Sequence, residues 1–399
     1  MSRVQFTNRQ GLQLTGDIEW PAGGEASAFA LFAHCFTCTR NLKAAINICQ
    51  ALAAEGIAVM RFDFTGLGQS QGDFSEADFS ANISDLEDAA AFLARAYQPP
   101  QLLIGHSLGG TAALAAAARI DSCRAVVSIN APADPEHVLN QMEPSLETIE
   151  KEGSAEVRLG GRPFRIARKF VDDVRQFDLL SGLNQMRRAL LVMHTPVDTV
   201  VSVSNAQQIF SHASHPKSYI SLDDADHLLS DPADSAYVGR QIVTWVQRYL
   251  QPAAPLETAG VSASGRTDAG FLTLLRSGHH QWLADEPESY GGSDRGPGPY
   301  ELLAGALAAC TSMTLNMYAR HKKLPVVRVH CEVEHQRIHA QDCADCASQE
   351  GKVDVLTRRI RIEGELSTEQ HQRMLEIADR CPVHKTLSRE IKIRTEGAT

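Results

Sequence analysis

Two architectures in series are predicted for this chain: a mostly parallel sheet with helices on both faces and a small cap, followed by an α+β domain. Three observations predict it. Apolar strand-like runs alternate with helical patterns from Val4 to Leu250, that rhythm breaks once between Pro132 and Gln185, and it does not resume after Gln251-Pro252-Ala253-Ala254-Pro255. At 399 residues the chain can hold two or three full-sized cores. Its 43% hydrophobic and 22% charged content is that of a globular protein, and no apolar run is read as reaching the ~18 to 20 residues of a membrane span. A net charge of −10 disfavours nucleic acid and anionic membranes as partners. The start Met1-Ser2-Arg3-Val4-Gln5-Phe6 lacks the apolar core of a signal peptide, so a reducing cytoplasm is the expected compartment. Nine cysteines, an odd number, argue against a structural disulfide framework.

In order along the chain, the expected strands are Ala28–Ala33, Ala58–Phe62, Gln101–Ile104, Ala125–Ile129, Ala189–His194 and Tyr219–Leu222. Each is a short apolar run between helical patterns, the form taken by strands buried on both faces. The charged interruption contains Val157 to Ile166, where Gly160-Gly161 between alternating residues predicts a hairpin, and residues 132–185 are read as the cap. A helix from Tyr237 to Leu250 closes a first domain of residues 1–250; residues 251–256 are a linker and 257–399 the second domain. There, strands come first, then a helix from Tyr300 to His321 and strands at Val326–Glu334 and Thr357–Glu365. Ser367-x-x-Gln370 has the form of a capping box and opens a helix running to about Arg380.

Gly105-His106-Ser107-Leu108-Gly109 follows the apolar Leu102-Leu103-Ile104 and opens the Ala-rich stretch from Thr111 to Ala118. That places a serine on a sharp strand-to-helix turn which the two glycines permit. A serine hydroxyl is a poor nucleophile at neutral pH and needs a base to take its proton and an acid to orient the base. His227 follows the last strand and Asp198 lies beyond a late one, giving the chain order Ser, Asp, His. Asp224 and Asp226 are alternatives for the acid, but at one or three residues from the histidine they reach poorly behind its ring. Residues 1–250 resemble the α/β-hydrolase fold family, including Asp63-Phe64-Thr65-Gly66-Leu67-Gly68-Gln69-Ser70, similar to a structural loop of many members. The resemblance implies an oxyanion hole made by the amide of Leu108 and one at His34-Cys35-Phe36, where Cys35 replaces the usual glycine. Phe36 is preferred to Cys35 as that second donor. The implied activity is carboxylesterase-type hydrolysis, and the modest cap with no obvious lipid-binding stretch points to small, short-acyl esters.

Cys35-Phe36-Thr37-Cys38 also has Cys-x-x-Cys spacing, and its oxidation would distort the oxyanion loop. Cys310 lies in a helix of small apolar residues, whereas Cys381 precedes Pro382 at a helix start, where a thiolate is stabilised. Together with Pro299-Tyr300-Glu301-Leu302-Leu303 and Cys381-Pro382-Val383-His384-Lys385-Thr386-Leu387, these segments resemble the OsmC family, whose members include organic hydroperoxide reductases. The resemblance covers most of residues 260 to 395. It implies an intertwined homodimer, Cys310 as the peroxidatic thiol, Cys381 as its resolving partner, and organic hydroperoxides and a thiol reductant as reactants. It also implies an activating arginine from an early strand, here Arg266 with Arg276 behind it. Tyr300 stands where reductases carry a glutamate, with Glu301 one place along as the acidic candidate. The other readings are a domain kept for dimerisation or ligand binding, and a chain that is primarily a cysteine-based organic hydroperoxide reductase with an accessory hydrolase domain. His335, His339, Cys343 and Cys346, with Cys331 nearby, are ligand types that suit zinc at a spacing unlike the usual fingers. No metal and no cofactor is assigned. Cys49 and Cys123 read as core residues.

Overall fold

The computed structural model describes residues 1–159, 161–251, 260–342 and 351–397. Its contacts divide into two units, Met1–Ala269 with Leu274–Gln281, and Gly270–Thr273 with Trp282–Thr399. Linker residues 252–256 lie outside the described residues.

The first unit runs β1 (Ser2–Thr7), β2 (Gln13–Glu19), β3 (Ala28–Ala33), α1 (Lys43–Ala54), β4 (Ile57–Phe62), α2 (Phe79–Ala96), β5 (Pro100–His106), α3 (Leu108–Ala117) and β6 (Ala125–Ile129). An insertion follows, with α4 (Glu143–Glu152), the antiparallel hairpin β7 (Ser154–Leu159) and β8 (Arg162–Ala167), α5 (Arg168–Gln176) and α6 (Leu180–Leu183). The sheet then resumes with β9 (Ala189–His194), α7 (Ser204–His212), β10 (Lys217–Ser221) and α8 (Pro232–Val246). Eight strands pair in the order β1-β2-β4-β3-β5-β6-β9-β10, antiparallel from β1 to β4 and parallel from there on.

Successive strand residues point to opposite faces, and both faces are apolar here. Phe29 and Leu31 of β3 face α2, α3 and the cap, while Ala30 and Phe32 face α1 and α8. Leu103 and Leu102 of β5 divide in the same way, and all six residues of β3 are buried. Removing a side chain such as Leu31 would cost about 2–5 kcal/mol, because the close-packed layers on either side cannot collapse onto the space. The last helix starts earlier than its apolar pattern suggests. Asp231 caps it by accepting from the Ala233 amide at 2.8 Å, and Pro232 takes the first-turn position where no amide is needed.

β11 (Val261–Gly265) belongs to the first unit. Ser264 Oγ donates to the Gly23 carbonyl at 2.7 Å, and Arg266, just beyond the strand, lies over the Trp20 ring at 4.7 Å. Two short strands, β12 (Thr273–Ser277) and β13 (His280–Ala284), come next. Arg276 on β12 pairs with Glu25 at 3.0 Å.

The second unit continues with α9 (Pro299–Lys322), β14 (Val326–His339), β15 (Lys352–Gly364), α10 (Thr368–Ala378) and α11 (Pro382–Leu387). β14 and β15 form a long antiparallel ribbon, several residues longer than the apolar pattern predicts, because its outer stretch alternates polar residues with partly buried ones. The capping box of α10 is reciprocal, Ser367 Oγ accepting from the Gln370 amide at 3.2 Å and Gln370 Oε1 from the Ser367 amide at 2.9 Å. Leu315 and Ala319 of α9, Val329 of β14 and Met374, Ile377 and Ala378 of α10 make a small core. Contrary to the sequence reading, one helix, α9, is long and apolar enough by length and composition to cross a membrane. Such a helix can equally be a central packing element, and in this unit α9 packs on β14, α10 and α11.

Candidate active site

Ser107 sits between β5 and α3 with φ 55° and ψ −130°, a left-handed backbone that non-glycine residues seldom adopt. The flanking glycines make this possible: a Cβ on Gly105 would stand 2.2 Å from the Gly109 carbonyl oxygen, and one on Gly109 2.3 Å from that of His34. The second contact draws the start of α3 against the end of β3, beside the loop that carries Phe36. Ser107 Oγ lies 3.1 Å from His227 Nε2. On the far side of the ring, Nδ1–H donates to Asp198 Oδ2 at 2.7 Å. The structure therefore brings Ser107, His227 and Asp198 together. Asp226 instead accepts from the Ser230 amide at 2.8 Å.

Asp198 Oδ1 accepts from the amides of Val200 and Val201, both at 2.8 Å, which fixes the carboxylate plane. Burial opposes its charge, but the hydrogen bonds from His227 and these amides outweigh it and hold the carboxyl below its ordinary value. His194 backs the same carboxylate, with Nε2 3.7 Å from Asp198 Oδ2 and donating to the Val201 carbonyl at 2.9 Å. Burial lowers the proton affinity of the His194 ring, against the opposing pull of the Val201 carbonyl and Asp198.

The loop after β3 is braced on every side. Cys35 and Cys38 are joined by a disulfide, Thr37 is left-handed at φ 61°, and Arg162 of the cap hairpin donates to the Thr37 carbonyl at 2.6 Å. The Phe36 ring stacks on Phe170 of α5 at 5.1 Å and meets Phe74 at 5.5 Å. At the far end of the loop, buried Arg40 bonds Asp17 at 2.7 Å, Asp63, and Gln69 at 2.8 Å. The Asp63-to-Ser70 loop thus serves as an anchor, as its resemblance implies. Leu108 is the first residue of α3, and Phe36 lies in the braced loop after β3.

In the second unit, Cys310 on α9 is half-buried and faces an apolar groove of about 370 Å³ shared with Ala306, Met313, Met317 and Pro382. Cys381 is fully buried at the start of α11, its sulfur accepting from the His384 amide at 3.2 Å and lying 3.7 Å from Thr311 Oγ1. Arg358 of β15 donates to the same Thr311 oxygen at 3.0 Å and is held by Asp379 at 2.6 Å and the Ala378 carbonyl at 3.1 Å. Cys331 also lies on this cluster; burial pushes its thiol up, and Arg358 partly offsets that.

Sequence reasoning missed Arg358, because alternating Thr-Arg-Arg-Ile-Arg reads as an exposed strand face. Its own candidates are engaged in other ways. Arg266 is paired with Asp268 at 2.8 Å, and Glu301 caps α9 by accepting from the Gly298 amide at 2.8 Å. His335 stacks on Tyr300 at 4.2 Å and bonds Asp354 at 3.0 Å. Cys343 and Cys346 lie outside the described residues, among which no group of three or more metal-binding side chains occurs. Two further residues that the sequence reading passed over, His106 and Asn130, contact the histidine loop of the first unit.

Comparison with known proteins gives two family matches, an alpha/beta hydrolase family model over residues 29–291 and an OsmC-like protein model over residues 291–396. The crystal structure of the esterase domain of a Rhodothermus marinus protein is 45% identical with a TM-score of 0.53, covering 62% of this chain and 98% of that one. YfhR of Escherichia coli K12, uncharacterised, is 25% identical over 257 residues, 62% of this chain and 81% of that protein. The mouse mitochondrial palmitoyl-protein thioesterase ABHD10 is 28% identical over 199 residues, 47% of this chain and 64% of its own length.

Proposed function

Because the chain belongs to the alpha/beta hydrolase family and continues into an OsmC-like domain, we propose that its first unit is a serine carboxylesterase for small, short-acyl esters. The second unit, in this reading, is a thiol domain that pairs two copies of the chain and reduces organic hydroperoxides. The observation that carries the esterase is the hydrogen-bonded line from Ser107 through His227 to Asp198. His227 Nε2 takes the serine proton as Oγ attacks the ester carbonyl, and Asp198 stabilises the imidazolium that forms. The Leu108 and Phe36 amides receive the oxyanion, a contribution of about 3–4 kcal/mol per donor in comparable sites. The imidazolium then protonates the departing alcohol, and water repeats the sequence to free the acid. Similarity to an esterase domain favours esters, whereas similarity to a palmitoyl-protein thioesterase makes palmitoyl thioesters the competing class. A panel of p-nitrophenyl esters from acetate to palmitate, with a palmitoyl thioester, on the wild type and Ser107→Ala separates them. The highest kcat/KM falls on the short esters, and preference for the palmitoyl thioester would overturn the assignment.

In the thiol unit the Cys310 thiolate attacks the outer peroxide oxygen, releasing an alcohol and leaving a sulfenic acid. The Cys381 thiol condenses with it, expelling water, and a thiol reductant of the cytoplasm reopens the disulfide. Arg358, acting through Thr311, supplies the positive charge beside Cys381. The second copy covers the open face of α9, where Met313 and Met317 are 71% and 68% exposed. The commitments of Arg266 and Glu301 favour a second reading, dimerisation without peroxide chemistry. Consumption of cumene hydroperoxide that disappears in Cys310→Ser excludes that second reading.

A further inference from the structure

The catalytic histidine of this family of sites sits on a loop, and a loop is a poor mount for a ring that must meet two partners within a few tenths of an ångström. In this chain the loop after β10 contains two left-handed residues, Asp223 at φ 47° and Leu229 at φ 53°, and local turns in which the Ala225 amide bonds the Leu222 carbonyl at 3.0 Å and the Leu229 amide bonds the Asp226 carbonyl at 3.1 Å. None of these turn bonds uses the His227 carbonyl, which is held from outside the loop.

The His227 carbonyl oxygen receives two side-chain donors. His106 Nε2–H reaches it at 2.7 Å and Asn130 Nδ2–H at 3.0 Å. A carbonyl only accepts, so the proton of His106 is on Nε2, and its bare Nδ1 has no partner among the described residues. Burial first, and the neighbouring His227 ring second, lower the His106 pKa to about 4, so the ring keeps a neutral, fixed donor throughout the working range. A charged ring here, 5.3 Å from that of His227, would weaken the base it supports.

Asn130 has a second task. It directly follows β6, is fully buried, and is left-handed at φ 47°, a conformation that asparagine tolerates better than most residues. Its Oδ1 accepts from the Thr195 amide at 3.0 Å, three residues before Asp198, while its own amide bonds the Met193 carbonyl at 2.9 Å. The two bonds of the side-chain amide allow one orientation only, with oxygen towards Thr195 and nitrogen towards His227. One side chain thus ties the loop of the acid to the loop of the base.

We infer that His106 and Asn130 are positioning residues for the serine hydrolase reaction, two donors converging on the His227 carbonyl and, through Asn130, setting the spacing between the Asp198 and His227 loops. This rests on the Ser107 reading above. Neither residue touches the reacting atoms, so their loss acts on the rate of serine attack and leaves substrate binding nearly unchanged. Asn130→Asp keeps the acceptor for Thr195 and the tolerance for positive φ but turns an oxygen towards the carbonyl. His106→Leu removes the other donor, and His106→Gln restores an amide N–H in roughly the same place.

The test is the rate at which diisopropyl fluorophosphate modifies Ser107, followed by intact mass and peptide mapping, with p-nitrophenyl acetate kinetics and thermal melts on the same preparations. Asn130→Asp and His106→Leu are each expected to slow labelling and kcat by roughly 10- to 100-fold with KM within about threefold, and the double variant to lose more than either. His106→Gln is expected to recover most of the His106→Leu loss. If folded Asn130→Asp and His106→Leu label as fast as the wild type, the positioning inference is wrong. If the wild type itself is not labelled at Ser107, the underlying hydrolase reading fails instead. Should Asn130→Asp not fold, the His106→Leu and His106→Gln pair decides alone, because failure of glutamine to recover a loss seen with leucine also overturns the inference.

Discussion

Ser107, Asp198 and His227 stand just beyond the ends of β5, β9 and β10, neighbouring regions of one eight-stranded sheet, whereas Cys310 and Cys381 stand on a long helix and the start of a short one above a two-stranded ribbon. The first arrangement is complete within one chain. Apolar layers bury both faces of its sheet, so each strand end is held in place and the loops inherit that precision. The second arrangement leaves Cys310 at an open apolar groove with two methionines beside it largely in solvent. Rigidity built on a closed core needs no partner, while the face of a half-covered helix would take its missing wall from a second copy in the pairing proposed above.

The largest expected effect separates the two sites outright. Ser107→Ala should lower p-nitrophenyl acetate turnover by about 10⁴-fold or more while peroxide consumption is unchanged; a shared loss would show that the sites are not independent. Cys310→Ser should do the reverse, abolishing cumene hydroperoxide consumption with esterase kinetics intact. Next, Arg40→Met removes the buried cation shared by Asp17 and Asp63, leaving Asp17 only the exposed Arg3, and should destabilise the first unit by about 3–5 kcal/mol, read from denaturant unfolding. A change under about 1 kcal/mol would mean that this anchor is not what holds the loop after β3. Smaller in energy is the pairing of copies: Met313→Glu with Met317→Glu should turn a dimer into a monomer in sedimentation velocity, and a dimer that survives both charges places its contact elsewhere. The smallest effect is expected at Cys35–Cys38. Reducing that disulfide should raise esterase activity a few-fold by relaxing the braced loop, and identical rates with and without reductant, with the bond mapped in both states, would remove any switching role.

Much of the first site was legible because its chemistry is written in short segments with local meaning. Gly105 and Gly109 flank Ser107 for steric reasons that act within five residues, and an acid and a histidine after late strands follow from the rhythm of the sheet. Arg358 was not legible, since its importance comes from a partner 47 residues away, Thr311, and one 21 residues away, Asp379. His106 was in view throughout as the residue before the serine, but its donor finds its acceptor 121 residues along the chain.

Hydrophobic periodicity and turn chemistry are local, so the chain alone determined the two architectures, the parallel strand runs, the serine on its elbow and the order of its partners. Which carboxylate meets His227, what ties down its loop and which guanidinium bonds Thr311 beside Cys381 were decided only in three dimensions. Hydrogen bonds act over about 3 Å, and only folding brings residues from distant strands within that distance.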